Sequence, residues 1–448
     1  MKRKLYDELL KWKASTNRKP LILEGARQVG KTWLLQELGR NEYENMIYIN
    51  CHNNSFAKAL FLKDFDITRV LREIEAFSGQ RAIAGKTLIV FDEIQEIPQG
   101  VASLKYFCEN VREQHVAVAG SLLGVTHRPE ESYPVGKVDV LKLYPMSFEE
   151  FLMANGNEPL ADLVACCDWS SLETLDSMLQ NQLRQYYYVG GMPEVVLDYV
   201  ENGDIFNVRK MQKRIISAYA NDMAKHAGGD TERVRMVWRS IPAQLAKENK
   251  KFVYGAVKSG GRARELERAI QWLVDAGLVN KVHRCRKPDE PLRFYEDFDA
   301  FKLYVLDVGL LGAMSNAKPS LMLVGNDVFK EYKGAFSENY VLQQIKSIGD
   351  YDVCYYHKDN STMEVDFLVQ TPARIIPVEV KAEENVKSKS LARFVKEEFA
   401  DNHLKGLRCS MKPYIDQDWM ENIPLYAIEA YFGMERTAGI KSLNPLKS

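Results

Sequence analysis

Gly25-Ala-Arg-Gln-Val-Gly30-Lys31-Thr32 decides the reading of this chain, because it fills every position of the pattern GxxxxGK[ST]. Before it runs Pro20-Leu-Ile-Leu-Glu24, a short apolar stretch. After it, Thr32-Trp-Leu-Leu-Gln-Glu-Leu repeats apolar residues at helical spacing. The prediction is strand, loop, helix. In that setting the glycines let backbone N–H groups close around phosphate oxygens, and the helix aims its positive end at them. Lys31 reaches the β- and γ-phosphates, and the Thr32 hydroxyl faces Mg2+. The expected ligand is ATP with Mg2+, held along Gly25, Ala26, Arg27, Gln28, Val29, Gly30, Lys31 and Thr32.

Working outward, Met46–Asn50, Thr87–Phe91, His115–Ala119 and Val138–Leu143 are apolar or β-branched runs separated by helix-length segments. That alternation predicts a buried parallel sheet with helices on both faces. The run Thr87-Leu-Ile-Val-Phe-Asp92-Glu93 ends in two acids. Asp92 is expected to hold Mg2+ through water, and Glu93 to polarise an attacking water. Ser121 follows the next strand through Gly120; it is either a sensor for the γ-phosphate or a helix N-cap. ATP hydrolysis is the activity these residues predict.

The whole chain has 448 residues, enough for about two to four domains, and 46% are hydrophobic, which excludes global disorder. Its net charge of −1 rules out a uniformly basic nucleic-acid coat, yet residues 205–290 hold 19 Lys/Arg against 9 Asp/Glu. That surplus of ten leaves −11 on the remainder. Seven cysteines without CxxC spacing, Cys166 and Cys167 being adjacent, favour reduced thiols over a zinc or disulfide framework. The basic start Met1-Lys-Arg-Lys has no apolar segment behind it, and no run nears 18 apolar residues. No secretory signal, no membrane span and a cytoplasmic location are expected.

The order of these strands and motifs, with Asp92-Glu-Ile-Gln95 and Gly120-Ser121, resembles the AAA-type P-loop ATPases. Leu143-Tyr-Pro-Met-Ser-Phe-Glu-Glu-Phe151, Tyr188-Val-Gly-Gly-Met-Pro-Glu194 and Phe301-Lys-Leu-Tyr-Val-Leu-Asp-Val-Gly-Leu310 are similar to a prokaryotic group. Its members join such an ATPase to a C-terminal domain of unknown function resembling the PD-(D/E)xK nuclease fold. The implied fold class is α/β. A P-loop parallel sheet with flanking helices spans 1–145, and a helical segment spans 146–204. A basic helical, winged-helix-like domain covers 205–325, and a C-terminal α/β nuclease-like domain covers 326–448. The strands of the wing are expected at Lys251–Gly255 and Leu278–Val282. Members of the group carry Gly-Arg before the fifth strand; this chain has Gly136-Lys137, which leaves Arg112 and Arg128 as alternatives for an arginine acting on the phosphates.

In the C-terminal part, Asp366 falls in a predicted strand Glu364–Gln370, and Glu379-Val-Lys381 at the end of a second, Ile375–Val380. A period of two puts Glu379 and Lys381 on one face. An Asp, a Glu and a Lys on adjacent strands suit metal-assisted phosphodiester cleavage: carboxylates hold Mg2+, and the lysine orients a water. The resemblance adds Glu338, on helix Phe336–Ile348, as a further metal ligand, with His357 nearby. The competing reading is a plain Glu379–Lys381 pair in an inert fold.

In the basic middle, Arg262, Arg264, Lys247, Lys250 and Lys251 are the candidate phosphate contacts. DNA is the expected partner through residues 205–290, the alternative being a solvated basic face or one docked on an acidic neighbouring domain; a protein partner and homo-oligomerisation are further expectations. Tyr186, Tyr187 and Tyr188, the turn Gly190-Gly191-Met192-Pro193, and Phe301–Leu310 with Lys302 and Asp307 read as packing. Two functions follow: an ATP-driven protein acting on DNA, or a nucleotide-dependent switch or scaffold for a protein partner with an inactive nuclease-like fold.

Overall fold

The computed structural model describes all residues except 121–132, 248–249, 320–322, 324–329, 350, 383–387 and 444–448. The chain divides into two compact units: Lys2–Tyr144 with Asp275–Gly277, and Pro145–Val274 with Leu278–Ser448.

The first unit is built on a five-stranded parallel sheet. Its strands are β1 (Leu21–Glu24), β2 (Asn45–Asn50), β3 (Thr87–Asp92), β4 (His115–Ala119) and β5 (Asp139–Lys142), in the order β2-β3-β4-β1-β5. Every residue of β3 and β4 is buried. That is why both read as continuous apolar runs and not as alternating ones. Ile22, Ile47, Ile89, Phe91, Val116 and Val118 join one core with Leu104 and Phe107 of helix Gly100–Asn110 and Val70 and Ile74 of helix Ile67–Ser78. Each such side chain contributes ~1.5–3 kcal/mol by leaving water. Because all five strands run parallel, the C-terminal ends of β1 and β3 open on the same edge, one strand apart across β4.

The second unit begins in helices. Helix Phe148–Ala154 starts at a capping box: Glu150 N donates to Ser147 Oγ at 3.3 Å, and Ser147 N donates to Glu150 Oε2 at 3.1 Å. Within the expected helical segment, helices Trp169–Thr174 and Asp176–Val189 form. An eight-stranded mixed sheet follows, ordered β12-β13-β11-β10-β9-β8-β6-β7. Its strands are β6 (Val279–Cys285), β7 (Glu296–Val305), β8 (Asp352–His357), β9 (Glu364–Gln370), β10 (Ile375–Val380), β11 (Gly406–Ser410), β12 (Ile415–Gln417) and β13 (Met420–Pro424).

The expected first wing strand does not form. Residues 251–255 form no strand; helix Tyr254–Val257 begins within them. β6 pairs with β7 and β8 as part of the large sheet. The apolar pull on this segment goes into one anchor: Phe252 is buried, stacks on Phe301 of β7 at 5.3 Å, and its N–H bonds the Phe301 carbonyl at 2.8 Å.

The three motifs behind the narrower resemblance meet around one buried carboxylate. Gly191 N donates to Asp307 Oδ2 at 2.6 Å, Gln343 Nε2 donates to the same oxygen at 3.1 Å, and Leu310 N donates to Asp307 Oδ1 at 2.9 Å. Met146 N bonds the Gly191 carbonyl, and Tyr186 Oη donates to the Met146 carbonyl. Gly190 must be glycine: its φ is +75°, and a Cβ would strike the Asp307 carboxylate. Burial raises the Asp307 carboxyl above its usual range, against the hydrogen bonds it receives. This is a packing knot, as the sequence reading held for Gly190–Pro193 and Phe301–Leu310.

Candidate nucleotide-binding site and C-terminal ion-pair cluster

At the edge of the first sheet, β1 ends at Glu24 and helix Lys31–Glu42 starts after Gly30, whose φ of +96° turns the chain into the helix. Gly25 approaches the Leu143 carbonyl so closely that a Cβ would collide with it. The loop is held from outside by a residue the sequence reading passed over. Arg3, 7% exposed, donates from Nη1 to the Val29 carbonyl at 2.9 Å and from Nη2 to the Tyr144 carbonyl at 2.7 Å. It pins the loop that carries Gly25, Ala26, Arg27, Gln28, Val29 and Gly30.

Lys31 folds back over this loop, its Nζ donating to the carbonyls of Gly25 (2.9 Å) and Ala26 (2.8 Å). Burial brings its pKa down to about 8, with the charges of Glu93 and Asp92 pulling the other way. An ammonium group on two neutral carbonyls is under-compensated, and an anion placed there would relieve it.

Thr32 Oγ1 donates to Asp92 Oδ2 at 2.8 Å, so the residues expected to face Mg2+ stand in contact across 60 positions of sequence. Tyr48, on β2, donates to the same oxygen at 2.7 Å, and Glu93 N donates to Asp92 Oδ1 at 3.1 Å. Asp92 is therefore fixed from both sides. A hard oxygen pair of this kind, one hydroxyl and one carboxylate, suits Mg2+, which keeps several of its waters. Glu93 has a left-handed φ of +54°, uncommon for a residue with a side chain, and its carboxylate accepts a hydrogen bond from Gln95 Nε2. Gln95 is buried, and its Oε1 has no hydrogen-bond partner among the described residues.

Ser121 and Arg128 lie outside the described residues. Lys137, standing where the resembling group carries arginine, is ion-paired with Glu109 at 2.9 Å. Arg112 is exposed.

In the second sheet, β9 and β10 pair antiparallel and carry Asp366 and Glu379 side by side. Asp366 Oδ2 accepts from Val380 N at 2.8 Å, and Glu379 Oε1 meets Lys381 Nζ at 2.9 Å. Glu379 Oε2 is buried without a hydrogen-bond partner among the described residues. Arg408 of β11 stands opposite Glu379 in register. Glu338 departs from expectation. Lys250 donates to its Oε1; its Oε2 accepts from Tyr304 Oη at 2.9 Å and lies 3.9 Å from Lys302 Nζ. Lys302, wholly buried, also pairs with Glu364 at 2.5 Å and passes over the Tyr355 ring at 4.7 Å. His357 stands opposite Glu364 on β8.

The consequences for charge are consistent. Burial would raise Glu338, but Lys250 and Lys302 overcome it and hold the carboxyl below its usual range. Asp366 is pushed up to about 7, by burial first and then by the charge of Glu338. Among the described residues, no group of three or more His, Cys, Asp or Glu is arranged to hold a metal ion. Glu338, Asp366 and Glu379, the acids expected to share a metal, stand among the ammonium groups of Lys250, Lys302 and Lys381.

Of the candidate phosphate contacts, Lys247, Lys251, Arg262 and Arg264 are exposed, with both arginines at the start of helix Ala263–Asp275. Lys250 is withdrawn by its ion pair with Glu338. No helix among the described residues is long and apolar enough to cross a membrane.

Residues 17–152 match the family model described as an AAA domain. Residues 180–321 and 333–428 match two models described as domains of unknown function, DUF8612 and DUF4143. No curated protein matches the chain. Similar solved structures include the Thermotoga maritima RuvB Holliday junction branch migration motor, 12% identical, covering 64% of this chain and 90% of that one at a TM-score of 0.28. Another is Cdc6p from Pyrobaculum aerophilum, 11% identical, covering 70% and 94% at 0.25. Likenesses this slight carry no argument about this chain. The family match over residues 17–152 and the loop, strand and acid geometry support an AAA-type P-loop domain in the first unit; the models matched at 180–321 and 333–428 are described only as domains of unknown function.

Proposed function

We propose that the first unit binds ATP with Mg2+ and hydrolyses it, and that the second unit turns the nucleotide state into action on DNA. The observation that carries the first half is the contact of Thr32 Oγ1 with Asp92 Oδ2. In this reading Lys31 leaves the Gly25 and Ala26 carbonyls for the β- and γ-phosphates, and the loop amides close on the phosphate oxygens. Thr32 and Asp92 would hold Mg2+, which neutralises charge developing on the transferred phosphoryl group. Glu93 accepts the proton of the attacking water, with the Gln95 amide fixing its carboxylate. DNA binding rests on the exposed Arg262, Arg264, Lys247 and Lys251.

The test compares wild type with Glu93→Gln. Nucleotide binding should persist while the steady-state rate falls ~10²–10⁴-fold, the usual worth of a positioned base. Equal rates would remove Glu93 from the chemistry.

A second reading, a nucleotide-dependent switch for a protein partner with an inert C-terminal fold, is favoured by one observation: the ammonium groups of Lys250 and Lys302 lie against Glu338.

A further inference from the structure

We infer that Lys250 and Lys302 neutralise the acidic centre of the C-terminal sheet in place of a divalent cation, and that this centre takes up no Mg2+ or Mn2+ while both lysines stand. Glu338 is 3% exposed and has spent both of its oxygens, one on Lys250 and the other on Tyr304 and Lys302. Glu364 is taken by Lys302, Glu379 Oε1 by Lys381, and Asp366 Oδ2 by the Val380 amide.

The charges are also matched. Glu338, Glu364, Asp366 and Glu379 face Lys250, Lys302, Lys381 and Arg408, and Lys381 feels the charges of Asp366 and Glu338 as well as that of Glu379. A dication brought to Glu338 would lie beside two ammonium groups, and it would have to displace one of them from a buried ion pair. Displacing Lys302 is the harder, because its side chain has no exposed surface and would carry its charge into the sheet interior. Lys250 is the more accessible of the two, its side chain 15% exposed, and it comes from outside the sheet, on the segment between helices Thr231–Leu245 and Tyr254–Val257. Among the described residues Glu379 Oε2 is buried without a hydrogen-bond partner, and one such oxygen is not a chelate.

The experiment titrates Mn2+ into the nucleotide-free full chain and reads free Mn2+ by electron paramagnetic resonance. An Asp92→Asn background keeps the P-loop from contributing. Wild-type C-terminal residues should take up less than one equivalent even at millimolar Mn2+. Lys250→Gln with Lys302→Met should gain one Mn2+ site that Asp366→Asn removes again. Lys250→Gln alone, at the accessible edge, should gain a weaker one, so the inference remains testable where the buried Lys302 change prevents folding. One equivalent bound tightly by the parent and lost on Asp366→Asn or Glu379→Gln would overturn the inference. So would folded lysine variants that gain no Mn2+. The readout is independent of the ATPase proposal, since neither nucleotide nor turnover enters it.

Discussion

Lys31 in the first unit is half-buried and Lys302 in the second wholly buried, and both are near acids, yet their environments move them in opposite directions. Burial leads for each and favours the neutral amine. Among the described residues Lys31 donates to carbonyl oxygens alone, so burial prevails and its pKa falls to about 8. Lys302 has Glu338, Glu364 and Asp366 around it; their charges overcome burial, and it ends above its ordinary value. Lys250 follows Lys302 for the same reason. The lesson concerns what each lysine is ready for. An ammonium on carbonyls gains by trading them for phosphate oxygens. An ammonium in a buried ion pair loses by leaving it. One region is poised for an anionic ligand; the other is already closed by its own charges.

If that contrast is right, Lys31→Ala should remove function and spare stability. Two or more charge-assisted bonds to phosphate, each ~1.5–3 kcal/mol, disappear. Nucleotide affinity should fall at least ~100-fold, because each ~1.4 kcal/mol is a factor of ten. Titration calorimetry checks the affinity, and thermal melting should stay close to wild type. Retained tight binding would break the contrast at its first term.

Glu338→Gln should do the reverse. The side chain keeps its size, but Lys250 and Lys302 lose a shared counter-charge in the interior. Removing one partner from a buried pair costs ~3–5 kcal/mol. The denaturant transition of the second unit should shift by that order, while ATP affinity is unchanged. A shift below ~1 kcal/mol would mean the cluster is wetter than its geometry indicates.

These contrasts also mark what the sequence disclosed. The P-loop was legible because its parts are contiguous: the turn, the helix start, Lys31 and Thr32 lie within eight residues, and the loop's chemistry is mostly backbone. β9 and β10 were legible from their apolar runs, and the structure has them at Glu364–Gln370 and Ile375–Val380. Arg3 and Tyr48 were not legible. Arg3 reaches carbonyls 26 and 141 positions away, and Tyr48 reaches an acid 44 positions away, so nothing beside either residue signals its role. Lys302 was hidden by its own strand: an apolar run reads as packing, and its carboxylate partner Glu364 lies 62 residues on. The supposed wing at 251–255 failed because one aromatic anchor, Phe252, resembles a strand when its partner Phe301 is out of view.

The surface arginines sharpen the comparison more gently. Arg262 and Arg264 are exposed, unlike Lys250, so they remain available to phosphates. Replacing both with alanine should reduce the slope of log K against log salt for duplex DNA by about two, since each released contact accounts for ~0.9. Lys250→Gln should leave that slope alone. Equal slopes for the double-arginine variant and wild type would take this face out of DNA binding.

The smallest expected effect follows from the Lys31 amine itself. With its pKa lowered to about 8, Lys31 is charged below that pH and increasingly neutral above it. The nucleotide requires the charged form, and phosphate contact favours it, so affinity is greatest below pH 8 and weakens as pH rises through it. One unit above the pKa the loss should be about tenfold, the proportion in which the free protein must first be protonated. Binding near pH 8.5 should also take up protons, so the calorimetric heat should change between buffers of different ionisation enthalpy. An affinity that stays flat from pH 7 to 9.5 would place Lys31 in a wetter or more acid-paired setting than the Gly25 and Ala26 carbonyls provide, and the difference between the two lysine environments would narrow to nothing.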